Sequence, residues 1–293
     1  MKYVILIAFI ITVIQAYSAL SDTCLEMADY LINEGEYEDA ITEYKRFIFF
    51  NKEKQESLDY AYYKMGLAYR SIRRWHESIR ALRASIHTSQ DQDLSQQRRI
   101  ILSTTLIASG DCNLANIELM RIIRSNARTQ TKKQALYFSG VSSLYMQDWF
   151  SARRLFRDFY DFLPRQDSKE RFKVVDSILT QIPDSYKSIR KAKVMSIILP
   201  GLGQIYANDW RNGINAFIIN SLGIGMTGYY FHKGKTKTAF LISVFALRFY
   251  VGNVYGAVTS VENYNINLER QNTNRILKVI GMDEPGFVDN ESE

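Results

Sequence analysis

The chain has 293 residues, 46% of them hydrophobic and 23% charged, and a formal net charge of +6. Fifteen glycines and four prolines are too few for a collagenous, low-complexity or turn-dense all-β chain. Two cysteines and three histidines cannot supply a disulfide framework and leave little for a metal centre.

The chain opens on Met1-Lys2-Tyr3, an uncharged apolar run from Val4 to about Ala16, and the small residues Ser18 and Ala19. One base, a hydrophobic stretch of this length and small residues at its end predict a signal peptide over 1–19. The segment 20–186 would then be exported, and a bacterial periplasm is the compartment this implies. Ser21-Asp22-Thr23 before Cys24 is a poor lipidation box.

Residues 21–190 carry 26 Lys/Arg against 23 Asp/Glu, as a soluble domain does. Within them a block recurs: Gly35-Glu36-Tyr37 to Ala40, Arg73-Arg74-Trp75 to Ser78, Gly110-Asp111-Cys112 to Ala115, and Gln147-Asp148-Trp149 to Ala152. The small residues at 40, 78, 115 and 152 are spaced by 38, 37 and 37, and an apolar residue follows each four positions later (Tyr44, Leu82, Leu119, Phe156). Each block reads as helix, tight turn, helix. One such pair cannot bury its apolar face alone, so repeats of it stack.

Gly35, Tyr37, Ala40, Tyr44 and Phe47 in the first unit, Met65, Gly66, Tyr69, Trp75 and Leu82 in the second, and Gly140, Trp149, Ala152 and Phe156 in the fourth resemble the tetratricopeptide repeat family. The resemblance implies an α-solenoid, with Gly35, Tyr37, Ala40, Gly66, Tyr69, Trp75, Ala115, Gly140, Trp149 and Ala152 as its core. It implies a groove that binds a protein or peptide partner without chemistry. Arg70, Arg73, Arg74, Arg80 and Arg83, then Arg121, Arg124 and Arg128, suit a solvated face better than an anion site, and export argues against nucleic acid. Cys24 and Cys112 read as buried thiols two repeats apart, although an oxidising compartment leaves a bridge open.

The chain changes character after Lys187, Arg190, Lys191 and Lys193. Residues 191–278 hold 10 Lys/Arg but only Asp209, Glu262 and Glu269 as acids. Helices are expected over about 212–231 and 238–261, separated by His232-Lys233-Gly234-Lys235-Thr236-Lys237, which together predict a transmembrane helical hairpin within a membrane domain over 187–281. Gly223, Gly225 and Gly228 suit close helix contact, in a lipid environment and in an oligomer made through the hairpin. The segment Ile198–Tyr206, broken by Pro200, Gly201 and Gly203, is too short to span and suits a bend, an interfacial or a re-entrant segment. The acidic stretch 282–293 reads as a disordered tail.

Leu199-Pro200-Gly201-Leu202-Gly203-Gln204-Ile205-Tyr206, with Tyr250, Gly252, Asn253, Tyr255 and Gly256 downstream, resembles a bacterial membrane-domain family with a Leu-Pro-Gly-x-Gly-Gln-x-Tyr signature. That family has no established activity, so the resemblance implies architecture alone. Arg248, inside the second expected span, is a costly charge for which Glu262 and Asp209 are candidate partners. Lys233, Lys235 and Lys237 obey the positive-inside rule if the exported domain precedes two spans, whereas Lys187, Arg190, Lys191 and Lys193 fall on the opposite side.

The chain is thus expected to be all-α: a tetratricopeptide-like helical-pair solenoid followed by a C-terminal transmembrane hairpin. No catalytic set, metal spacing or cofactor motif is legible. The function expected is a membrane-anchored envelope scaffold, held in the inner membrane with its repeat domain periplasmic. Two alternatives are a transporter or channel subunit using Arg248 and the Pro200-Gly201 segment, and an envelope-biogenesis factor handling exported chains.

Overall fold

The computed structural model describes residues 23–51, 55–163 and 166–281, so the expected signal peptide and acidic tail lie outside the described residues. Every regular element among the described residues is an α-helix. The chain divides into two compact units, one reaching Phe172 and the other spanning Lys173–Met282.

The first unit contains α1 (23–34), α2 (Tyr37–Phe50), α3 (Gln55–Ser71), α4 (Trp75–Thr88), α5 (Gln92–Ser109), α6 (Cys112–Arg124), α7 (Thr129–Tyr145) and α8 (Trp149–Asp161). From α2 onward each helix packs on the next, and α5 also packs on α7. Apolar residues at helical spacing drive this: α2 buries Ala40, Ile41, Tyr44 and Phe47, and α8 buries Trp149, Ala152, Leu155, Phe156, Phe159 and Tyr160. Burying a side chain such as Phe156 contributes about 2–3 kcal/mol relative to leaving it in water.

Four turns repeat one geometry. Gly35, Arg73, Gly110 and Gln147 have φ of 82, 59, 92 and 60°, in the left-handed region. In each turn that residue's N–H bonds the carbonyl three back, and the next N–H bonds the carbonyl five back, as in Gly110 to Ile107 (3.1 Å) and Asp111 to Leu106 (2.8 Å). This is the helix-ending Schellman arrangement, which satisfies carbonyls the helix end would orphan. Such regularity explains the recurrence of 37–38 residues read from the sequence.

Small residues set how closely the helices approach. A Cβ on Gly66 would lie 2.8 Å from Leu82 Cγ, and one on Gly140 would lie 2.7 Å from the Phe156 ring. The Ser78 hydroxyl donates to the Gly66 carbonyl (2.7 Å) and the Ser142 hydroxyl to the Cys112 carbonyl (3.0 Å), bonds that only close helices allow. Alternate helices are tied by polar contacts. Arg98, 4% exposed, pairs with Asp59 at 2.7 Å and lies over the Tyr63 ring, and Arg70 donates to Thr104 at 2.9 Å. A buried pair of this kind fixes register more than it adds stability.

The second unit contains α10 (Ile189–Ile198), α11 (Leu202–Tyr206), α12 (Trp210–His232) and α13 (Thr236–Ile280); α9 (Gln166–Ser185) crosses the division between units. The charge shift near residue 186 therefore falls at the end of α9, downstream of the division at Phe172. α12 packs along α13, and α10 and α11 both pack on α13. The helix expected over 238–261 runs on to Ile280, because no glycine or proline interrupts the chain between Ala257 and Val279. Among the described residues α13 alone is long and apolar enough to cross a membrane. α12 is long enough, but Asn212, Asn215, Asn220 and four glycines dilute its apolar character.

The turn geometry yields a stability prediction. A Cβ on Gly110 meets nothing within 4 Å, so Gly110→Ala should cost only backbone strain, about 1 kcal/mol, in urea unfolding followed by circular dichroism. Arg73→Gly, relieving a φ of 59° at an exposed position, should shift the midpoint in the opposite direction.

Candidate functional site

The signature residues converge where the chain breaks between α10 and α11. Gly201 has a φ of 90°, and a Cβ there would collide with the Gly213 carbonyl of α12. A Cβ on Gly203 would collide with the Ala192 carbonyl and the Ser196 hydroxyl, and would lie 2.7 Å from the Ala257 Cβ. Both glycines are thus demanded by contact with a neighbouring backbone, and Gly201 by its conformation as well.

Asn253 of α13, 5% exposed, joins the broken ends. Its Oδ1 accepts from the Gly201 N–H (2.8 Å), and its Nδ2 donates to the Ser196 carbonyl (3.0 Å). Gln204, 2% exposed, donates through Nε2 to the Asn253 carbonyl (2.8 Å) and accepts at Oε1 from the Ser196 hydroxyl (3.1 Å). That hydroxyl in turn accepts from the Gly203 N–H (3.1 Å). The Tyr250 hydroxyl donates to the Ile197 carbonyl. The groups freed by the break at Pro200 are thereby re-partnered by side chains, each substituting for a lost helical bond.

A second clamp lies about two to three turns further along α13. Asn265 accepts from the Lys187 N–H (2.9 Å) and donates to the Lys187 carbonyl (3.0 Å), and the Tyr206 hydroxyl accepts from the Ser188 N–H (3.1 Å). The Lys187 ammonium sits 3.9 Å from the centre of the Tyr264 ring and donates to Asn208 (3.0 Å). Burial holds it below the usual lysine range. Asp209 accepts from the Ser260 hydroxyl (2.7 Å) and from Asn212 (2.9 Å). Burial pushes its carboxyl up, but these bonds outweigh that and leave it below its ordinary value.

Gly201, Gly203, Gln204 and Asn253 are therefore brought together, with Pro200 at the break and Tyr206 in the clamp. Leu199, Arg248, Gly252 and Tyr255 are exposed. Neither partner suggested for Arg248 is used: it has no ion pair among the described residues, while Asp209 bonds Ser260, about 18 Å further along α13. Ser196, Tyr250, Asn265 and Ser260 complete the junction without a role assigned to them from the sequence. For those on α13 the signal is the spacing 250, 253, 257, 260, 264, one stripe of that helix with Asn265 beside it.

In the repeat unit Ala40, Ala115 and Ala152 are fully buried, Tyr69 and Trp149 are nearly so, and Tyr37 and Trp75 are half-buried; Gly35 makes the turn. Cys24 and Cys112 are free and buried, with their thiols pushed up by burial. The Asp29 carboxylate of α1 accepts from Tyr44 and Tyr60 (the latter at 3.0 Å), and burial together with that carboxylate pushes Tyr60 up to about 12. Of the eight arginines named for the solvated face, three are in ion pairs among the described residues: Arg74 with Glu77 and Glu38, Arg121 with Glu118, Arg128 with Asp93. No family model matches the chain, and no curated protein matches it.

What this junction can do is hold a broken backbone rigidly in an apolar setting. Asn253→Ala would strand the Gly201 N–H and the Ser196 carbonyl, at about 1–3 kcal/mol each, and should lower thermal stability in detergent markedly. Gly201→Ala should do at least as much, while Tyr255→Ala, at a side chain 72% exposed, should leave the midpoint in place. Asn220 of α12 has a buried Oδ1 with no hydrogen-bond partner among the described residues, so Asn220→Leu should raise the same midpoint.

Proposed function

We propose that the protein is a membrane-anchored scaffold: a tetratricopeptide-like repeat domain that binds a protein or peptide partner, tethered by a transmembrane hairpin of α12 and α13 in a bacterial inner membrane. The repeat domain belongs in the periplasm, a placement supported by the apolar, small-residue N-terminal segment.

The observation that carries the anchoring is the dressing of α12. Ile214, Phe217, Ile218, Leu222 and Met226 are exposed, Trp210 lies at one end, and Tyr229, Tyr230 and Lys233 lie at the other. Trp210 and Tyr230 are about 30 Å apart along the helix, the thickness of the hydrocarbon layer, with amphipathic aromatics where the head groups begin. On α13, Phe240, Leu241, Val244, Phe245 and Leu247 are likewise exposed. Water would penalise that much bare apolar surface, and lipid would not.

The binding role draws support from the helix-pair repetition and from the row formed by α3, α5 and α7. On α5, Gln97 and Ala108 are exposed on the side away from buried Leu102 and Leu106, where a partner can reach them. In intact cells the full-length protein should resist alkaline extraction from membranes. A photo-crosslinking residue at Gln97 should capture a discrete partner, and one at Arg83, exposed on α4, should not. Equal labelling from both positions, or release by alkali, would sink the reading.

A further inference from the structure

Hydrogen bonds fix where residues 187–209 lie along α13. Lys187 is held by Asn265, the Ser196 carbonyl by Asn253 and the Ile197 carbonyl by Tyr250. α10 therefore runs antiparallel to α13, covering about 22 Å of its length. After the break at Pro200-Gly201 the chain returns: Gly201 bonds Asn253, Gly203 abuts Ala257, Tyr206 bonds the Ser188 N–H, and Asp209 bonds Ser260. The path is in, turn and out on one side.

The surface of α10 changes along its axis rather than around it. Arg190, Lys191 and Lys193 are exposed at its start, where Ala192 packs with Val261 and Ala257. Beyond them Val194, Ile197, Ile198 and Leu199 are 50, 53, 76 and 44% exposed, with no charge among them. The apolar run of α13 ends at Val261, and Tyr250 lies about 16 Å inside it, close to half of a roughly 30 Å hydrocarbon layer.

We propose that residues 187–209 form a re-entrant wedge in one leaflet, with Ile197–Pro200 among the acyl chains near the bilayer midplane and Arg190, Lys191 and Lys193 among anionic head groups. This rests on the membrane anchoring proposed above. A soluble apolar patch has no reason to be capped by three bases at the level where the apolar run of α13 stops; a leaflet does, since its charge lies at its surface and its oil beneath. The same depth accounts for the side-chain bonding at the break. Irregular backbone is tolerated inside a bilayer only where protein groups satisfy it, and Asn253, Tyr250, Ser196 and Gln204 do so here.

The test uses the full-length protein with Cys24 and Cys112 replaced by alanine, in vesicles of phosphatidylethanolamine and phosphatidylglycerol. Single-cysteine variants Ile197→Cys, Ile198→Cys, Lys193→Cys and Phe245→Cys, all at exposed positions, carry a nitroxide. Depth is read from its relative accessibility to oxygen and to a water-soluble nickel complex. Labels at 197 and 198 should lie at least as deep as the one at 245, with an oxygen-to-nickel ratio several-fold above that at 193. If 245 is deep while 198 lies at head-group level or in water, the wedge is overturned and the anchoring stands. If 245 itself is in water, both fall.

Discussion

One side chain makes the second unit possible. The Asn253 amide supplies an acceptor to Gly201 and a donor to Ser196, on the two sides of a break that no helix could continue through. Pro200 has no N–H to give and disfavours a helical conformation before it, so the chain must leave α10 there. Leaving exposes backbone groups on both sides, and in an apolar setting each costs more than any single packing contact returns. Gln204 then closes the circuit by donating to the carbonyl of Asn253 itself, so the side chain and backbone of one residue hold two helices. Amide side chains suit this position because each offers a donor and an acceptor without a charge.

The glycines follow from that closure. The Ser196 hydroxyl can reach the Gly203 N–H only if nothing projects from Gly203, and α12 can start beside Gly201 only if neither Gly201 nor Gly213 carries a Cβ. Gly201-Leu202-Gly203 superficially suggests a phosphate loop, but no Lys-Ser/Thr pair follows it and no strand precedes it. Read as contacts it is a spacing requirement, with every residue consumed in holding its neighbours. The repeat unit applies the same economy with other means: Gly66 admits Leu82, Gly140 admits Phe156, and one left-handed turn closes each pair. That turn recurs at Asn208 and Gly234 in the second unit, with φ of 64 and 70°, so the same local solution ends helices in both units.

How much was legible from sequence tracks how local the cause is. The helical repeat could be read because its turn is a local event: Gly35 and Gly110 announce it, and the apolar residue at the fourth position beyond each small one follows from helix periodicity. The partners of the signature could not, because Asn253 is 52 residues from Gly201 and Asn265 is 78 from Lys187. Arg73 and Gln147 illustrate the middle case. Their side chains give no hint of a left-handed conformation, and only their register with Gly35 and Gly110 does. The apolar run ending at Val261 marks a span and not the helix end, so the expected 238–261 falls short of α13, which continues to Ile280.

Charge placement bears on orientation. Bases stand at both ends of the expected hairpin, so counting them cannot choose which end faces the cytoplasm. They are not equivalent, however. Lys233 and Lys235 occupy the short connection between α12 and α13, Lys237 lies in the first turn of α13, and all three are exposed, as charges read during insertion must be. Lys187 is instead held over Tyr264, bonded to Asn208, and its ammonium is weakened by burial, so it belongs to the tertiary fold rather than to a loop. Arg190, Lys191 and Lys193 lie on a helix pinned along α13 at both ends. On the anchoring proposed above, the bases at 233, 235 and 237 are then the group free to act as a topological signal, and they would assign that end of the hairpin to the cytoplasm.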